Sequence, residues 1–197
     1  SGVAFGCSHP HANRKRDSMH TIERQAEQLS MAGIAETPLP DLSWATADIS
    51  CFDLPARFAL MVPGGAAHRL AKRWPPDRYR ALGENWLKKG VTPVIIGGTG
   101  ETDLAAEIAD GCDMINLAGR TSFAHIAELS RQAACAVGND TGPMHIAAIC
   151  GCPTVVLFSD ESNPSLTAPR GPDVQFLRRE NLRDLPVSEV AETLSLR

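Results

Sequence analysis

The amino-acid sequence predicts an α/β fold: a Rossmann-like, doubly wound, open parallel sheet of about six strands with helices on both faces. Three observations carry this prediction. From Phe58 onward, short apolar runs end in Gly or Asp and each is followed by a stretch of helical period, which is βα repetition. Several of those runs are apolar without alternation, as strands covered on both faces are. Glycine-bearing turns recur where strand gives way to helix, at Gly64-Gly65, at Gly97-Gly98 and between Gly138 and Gly142.

Residues 1–57 are irregular and read as a connecting segment. They carry a charged triplet, Arg14-Lys15-Arg16, one helical pattern and a Pro-rich stretch over 37–55. The helix shows Met19, Ile22, Ala26 and Leu29 on one stripe, with Asp17 or Ser18 expected as N-cap and Gly33 as the stop. A single narrow apolar stripe implies that it docks on a neighbour. Residues 58–197 then form the domain. Strands are expected over 58–62, 93–96, 114–117, 135–137, 154–158 and 174–177. Tyr79, Leu82, Trp86 and Leu87 mark one helix, and Leu104, Ile108 and Ala109 the next. Phe123, Ile126, Ala127 and Leu129 mark a third, with Thr121 or Ser122 as N-cap. A fourth runs over 142–149, and Val187, Val190, Ala191 and Leu194 give a last amphipathic helix. In such a sheet the ligand site lies at the carboxyl ends of the strands.

Composition narrows the function classes. The chain has 197 residues, 43% apolar and 21% charged, which excludes disorder, collagen and mini-protein scaffolds. A chain of this length buries roughly 70% of its unfolded surface and needs no staple. No run approaches the ~18 apolar residues of a membrane span. Nineteen Lys and Arg stand against 23 Asp and Glu, so the electrostatic footprint of a nucleic-acid binder is missing. Six cysteines, Cys7, Cys51, Cys112, Cys135, Cys150 and Cys152, form no C-x-x-C pair and read as reduced cytosolic thiols. With no initiator Met and no signal peptide, the first residues read like the middle of a longer protein.

Three stretches on the carboxyl edge contain the residue types a site would use. In the first, Gly64 and Gly65 follow a strand and let backbone N–H groups approach a ligand, while Lys72 can swing a compact positive charge over it. A solvated surface loop bearing Arg69, Lys72 and Arg73, anchored by Trp74-Pro75, accounts for the same composition. In the second, residues 97–103, a dinucleotide fingerprint fails because Asp103 stands at the third glycine position, and there is no Walker lysine. Glu101 suits hydrogen bonding to ribose hydroxyls, or compensation of a helix dipole. The third stretch, Gly138, Asn139, Asp140, Thr141, Gly142, Pro143, Met144 and His145, is the most specific. Asp140 or Thr141 caps a helix, Gly142 leaves room for a ligand, and Pro143 fits the first helical turn. The helix start attracts a phosphate. Asp140 would repel it and so is expected to accept from hydroxyls, with His145 as a donor; an ordinary cap followed by a core histidine is the competing account. Cys7, His9 and His11 crowd too closely into an irregular terminus to make a convincing metal set, and no metal is expected. Arg178-Arg179 and the 14–16 triplet read as solvated faces, with contact to anionic lipid head groups as the weaker alternative.

In order and spacing these stretches resemble the carboxyl half of the heptosyltransferases of glycosyltransferase family 9, which build the inner core of lipopolysaccharide. The likeness is carried by Pro63-Gly64 with Lys72-Arg73-Trp74-Pro75, Ile96-Gly97-Gly98 with Glu101, residues 116–122, residues 138–145, and Gly151-Cys152-Pro153-Thr154. The resemblance implies a GT-B enzyme of two Rossmann-like domains, this chain being the second, donor-binding domain with its inter-domain crossover. It implies that Lys72 neutralises the donor diphosphate, that Glu101 binds the nucleoside, that Thr121 lies near the base, and that Asp140, Thr141, Gly142 and His145 hold the diphosphate and sugar. The implied donor is ADP-heptose, the acceptor a lipid-linked saccharide at the cytoplasmic membrane face, and no cofactor is implied. The family's proposed general base, an Asp of the first domain, has no counterpart here, so the chain alone is expected to bind donor without turnover. A non-catalytic nucleotide-sugar binding module and, more remotely, a nicotinamide oxidoreductase are the competing expectations.

Overall fold

The computed structural model describes residues 13–65 and 73–197. One six-stranded sheet organises the chain, and every pairing in it is parallel. Its strands are β1 (Phe58–Val62), β2 (Thr92–Ile95), β3 (Ile115–Asn116), β4 (Ala136–Asn139), β5 (Thr154–Phe158) and β6 (Val174–Arg178). Their spatial order is β3-β2-β1-β4-β5-β6. The chain therefore winds outward in one direction from β1, then returns and winds outward in the other from β4, which leaves a crevice where β1 and β4 lie side by side.

The helices are α1 (Thr21–Met31), α2 (Pro76–Leu87), α3 (Thr102–Ala109), α4 (Phe123–Gln132), α5 (Gly142–Ile149), the short α6 (Pro164–Thr167) and α7 (Val187–Thr193). They divide between the two faces. Along β1, Ala59 and Met61 pack with Tyr79, Leu82 and Trp86 of α2, Ile108 of α3 and Val190 of α7. Phe58, Leu60 and Val62 point the other way and pack with Ile126 and Leu129 of α4 and Met144 and Ile146 of α5. This two-residue alternation between two apolar layers is why β1 and β5 are buried along their whole length. At the margins the edge strands β3 and β6 contain no buried residue.

Most expected elements are present, with β1, β5 and α5 at the expected bounds. Three local expectations are corrected. The N-cap of α1 is His20 rather than Asp17 or Ser18, which sit in a preceding 3-10 turn; the His20 ring accepts from the Ile22 N–H at 3.3 Å. Phe123 does not belong to the buried stripe of α4: it is 78% exposed, while Ile126, Ala127 and Leu129 are covered. The stripe of α1 is covered only in part: Met19, Ile22 and Ala26 are half-buried and Leu29 is exposed. No residue of that helix is buried, and it is held at its first turn by polar contacts. Thr21 Oγ1 donates to Leu166 O at 3.0 Å, His20 Nε2 lies 3.0 Å from Ala168 O, and Glu23 pairs with Arg170 at 2.8 Å. Among the described residues no helix is long and apolar enough to cross a membrane.

Candidate functional site at the β1–β4 crevice

The crevice is shaped first by what glycine permits. A Cβ on Gly138 would sit 2.6 Å from both the Val62 Cβ and the Met144 sulfur and 2.8 Å from Val62 O. Glycine there lets β4, β1 and α5 close together beneath the site. Asn139 follows and is 1% exposed. Its Nδ2 donates to Pro63 O at 2.7 Å and to Gly64 O at 3.0 Å. Its Oδ1 accepts from the Trp74 N–H at 3.0 Å and from the Tyr79 hydroxyl at 3.2 Å. One amide thus occupies its full complement of two donors and two acceptors. Burial pushes the Tyr79 phenol well above its ordinary range, so it remains a donor. Trp74 is buried, stacks edge-on against Tyr79 with ring centroids 4.9 Å apart, and donates Nε1–H to Leu185 O at 2.9 Å. That accounts for the anchoring expected of Trp74-Pro75.

Glu101 forms the opposite wall. It ends a 3-10 turn, Thr99–Glu101, and is the N-cap position of α3. One carboxylate oxygen accepts from the Gly65 N–H at 2.8 Å and the other from the Gly98 N–H at 2.7 Å. The loops after β1 and β2 are thereby tied to a single side chain. The approach is close: a Cβ on Gly64 would lie 1.8 Å from Glu101 Oε1, and one on Gly97 would lie 2.7 Å from Oε2.

The third wall is the start of α5. Thr141 stands at the N-cap but makes no side-chain cap; its hydroxyl donates back to Asn139 O at 3.2 Å. The expectation that Asp140 or Thr141 caps the helix is therefore corrected in its chemistry: the N-cap position is Thr141, and its own side chain does not cap the helix start. Among the described residues, beyond its chain neighbours and its own helix backbone, no atom lies within 4 Å of the place a Gly142 Cβ would take, so packing among them does not require glycine there. Asp140 Oδ2 lies 3.5 Å from the Thr167 hydroxyl.

These walls enclose a cavity of about 300 Å³, lined by Val62, Gly65, Glu101, Asp140, Thr141, Gly142 and Pro143. A larger hollow of about 500 Å³ lies at the amino end of β1, between residues 47–56 and α4, and contains none of the converging residues. The smaller one, at the carboxyl ends of β1 and β4, is the candidate site. Of the residues expected in it, Gly65, Glu101, Asp140, Thr141 and Gly142 come together, while Gly64 lies behind the lining against the Glu101 carboxylate. His145 does not line the cavity. It lies beside Asp140 and His20; burial holds its imidazole below the ordinary value, Asp140 opposes that, and His20 adds to it. Thr121 also lies off the cavity, and its Oγ1 is buried with no hydrogen-bond partner among the described residues. Lys72 falls outside the described residues, as do Cys7, His9 and His11.

Two contributions escaped the sequence. Asn139 reads as one polar residue among several, and nothing local shows that the start of α2 folds back onto it. The Arg73 guanidinium, read as solvated, donates to Gly65 O at 2.7 Å and closes the same loop.

The family model of glycosyltransferase family 9 (heptosyltransferase) matches residues 8–193. The chain belongs to glycosyltransferase family 9. Lipooligosaccharide heptosyltransferase 2 of Haemophilus influenzae is 30% identical over 120 residues, 58% of this chain and 34% of that protein. The solved E. coli ADP-heptose lps heptosyltransferase II superposes with a TM-score of 0.73 at 25% identity, covering 89% of this chain and 60% of that one. A family 9 glycosyl transferase from Veillonella parvula shares the fold, with a TM-score of 0.78 at 19% identity over 92% of this chain and 60% of its own. The chain therefore spans about a third of the curated relative's length.

Proposed function

We propose that this chain is the donor-binding half of a GT-B heptosyltransferase, with residues 58–197 as the donor domain and residues 1–57 as the crossover. In this reading the whole enzyme moves a heptose from ADP-heptose to a lipopolysaccharide-core acceptor at the cytoplasmic membrane face. The observation that carries it is the convergence of Gly65, Glu101, Asp140, Thr141 and Gly142 on one cavity at the strand-order reversal, in a chain of this family.

The chemistry of the cavity suits such a donor. Each Glu101 oxygen already accepts one backbone N–H, and each retains acceptor capacity for a ribose hydroxyl. Asp140 would take sugar hydroxyls in the same way. The diphosphate would lie against the start of α5, where helix N–H groups and the dipole favour negative charge and Gly142 leaves clearance. Two carboxylates in the wall make that charge hard to hold without a cation, which is the role assigned to Lys72. Neutral His145 would donate beside Asp140, and Thr121, with its unpaired hydroxyl, is assigned to the base side.

In the transfer itself the bond from the anomeric carbon to the diphosphate oxygen breaks as the acceptor hydroxyl oxygen attacks. The acceptor's proton passes to a base that the proposal places in the other domain. Lys72 and the α5 start stabilise the departing ADP, each preorganised donor being worth ~3 kcal/mol. The test is calorimetric titration of this chain with ADP, ADP-heptose, UDP and NAD, repeated on D140A and K72A. Selective adenine-diphosphate binding that both substitutions weaken is expected. Equal binding of UDP or NAD, or no binding of any of the four, overturns the reading.

A further inference from the structure

We infer that Asn139 is a positioning residue for the diphosphate, acting through the Gly64-Gly65 turn at the end of β1 and not by touching the ligand; this rests on the donor-site reading above. Asn139 is buried at the carboxyl end of β4, directly before Asp140. Its amide grips the loop at both ends. Pro63 O and Gly64 O are held where the chain leaves β1, and the Trp74 N–H where it enters α2. Between those points the chain carries Gly65, whose N–H is bonded to Glu101 at the cavity wall, and Lys72. The Arg73 guanidinium on Gly65 O is a second tie across the same two ends.

The four bonds have an order. Those from Nδ2 go to the backbone carbonyls of Pro63 and Gly64, and they set where Gly64 and Gly65 stand against Glu101. The two to Oδ1 fix the Trp74 end. Asn139→Asp keeps the acceptors, removes both donors and sets a carboxylate oxygen against two carbonyl oxygens. Asn139→Ala removes all four bonds. Tyr79→Phe removes the hydroxyl that donates to Asn139 Oδ1 and lies 3.4 Å from Val62 O, and leaves both Nδ2 bonds intact.

The experiment measures ADP and AMP affinity by calorimetry, and amide exchange by mass spectrometry, on the wild type and on N139D, N139A and Y79F, with the folded fraction checked by circular dichroism. N139A and N139D are expected to weaken ADP about tenfold, the equivalent of one buried hydrogen bond of about 1.4 kcal/mol. The loss for AMP, which lacks the second phosphate, is expected to be smaller by threefold or more. Y79F is expected to bind ADP within threefold of wild type. Exchange at the Gly65 and Trp74 amides should accelerate in N139A while that of β5 stays as it was, a localised change that general destabilisation would not produce. Wild-type ADP affinity in folded N139A, equal losses for ADP and AMP, or an effect of Y79F as large as that of N139A each overturn the inference. If wild type binds no ADP, the donor reading fails and takes the ligand part with it. The exchange data then still judge the clasp, which unchanged Gly65 and Trp74 amides would refute.

Discussion

Gly64→Ala offers a stringent test of how the site is built, because its effect depends on a side chain 37 positions away in sequence. The methyl would sit 1.8 Å from Glu101 Oε1, 2.1 Å from Cδ and 2.5 Å from Oε2, and all three nearest atoms belong to that one carboxylate. Ordinary contact begins near 3.4 Å, so the carboxyl group must retreat by more than 1 Å. Doing so releases the bonds from the Gly65 and Gly98 N–H groups. A hydrogen bond to a charged group is worth about 1.5–3 kcal/mol, and exposure of the Gly98 side places this pair at the lower end, for a total of about 2–3 kcal/mol. Glu101→Ala loses the same two bonds and should destabilise by a similar amount. The double variant has no carboxylate to displace, so its stability should match that of Glu101→Ala alone, giving a coupling energy of about 2 kcal/mol. Urea unfolding of the four proteins measures the cycle. Additive losses would show that Gly64 is needed for some other reason and that the clamp is not its cause.

Other outcomes follow from the same geometry. Gly142→Ala has open space before it and sits in the first helical turn, so its melting temperature should be unchanged or raised, while ADP affinity falls tenfold or more if the diphosphate rests there; Gly138→Ala, which meets Val62 and Met144 below 3 Å, should instead cost about 3 kcal/mol in unfolding. The half-buried His145 resists protonation when folded, so the unfolded chain binds more protons below 6.5. Stability should therefore decline as pH falls from 6.5 and level off once the folded imidazole titrates, and His145→Gln should flatten that part of a urea-midpoint profile. Burial pushes the Cys152 thiol up to about 12 and Cys135 further in the same direction. In iodoacetamide at pH 8, peptide mass spectrometry should find exposed Cys51 alkylated, and Cys135 and Cys152 modified only after urea is added.

Much of the fold was legible because its signals are local. Phe58–Val62 and Thr154–Phe158 are uninterrupted apolar runs bounded by turn residues, and both are strands at those bounds. The strand expected over 114–117 is only Ile115–Asn116, and its edge position is not the reason, since β6 is also an edge strand and keeps five residues. Phe123 fits the helical period and still faces outward, since periodicity places a residue on a stripe without saying how wide the covering neighbour is. The His20 cap was missed because an imidazole acceptor is rarer there than Asp or Ser. In the site, glycine turns and carboxylates announced Glu101, Asp140 and Gly142. The Asn139 contacts come from the end of β1 and from the chain entering α2, at separations of 60, 65, 75 and 76 residues, and have no local signature.

The way α1 is mounted sets a hierarchy of local stability. It contributes no buried residue, and its ties to the following α6 region are two hydrogen bonds and one exposed ion pair. Together these amount to about 2–3 kcal/mol, well below the 5–15 kcal/mol that typically holds a whole domain. The helix is therefore a separate unit in the sense of native-state exchange: it can lift away and return many times for each opening of the sheet. Amides of α1 should exchange by that shallow route, and those of β1, β4 and β5 only through global unfolding.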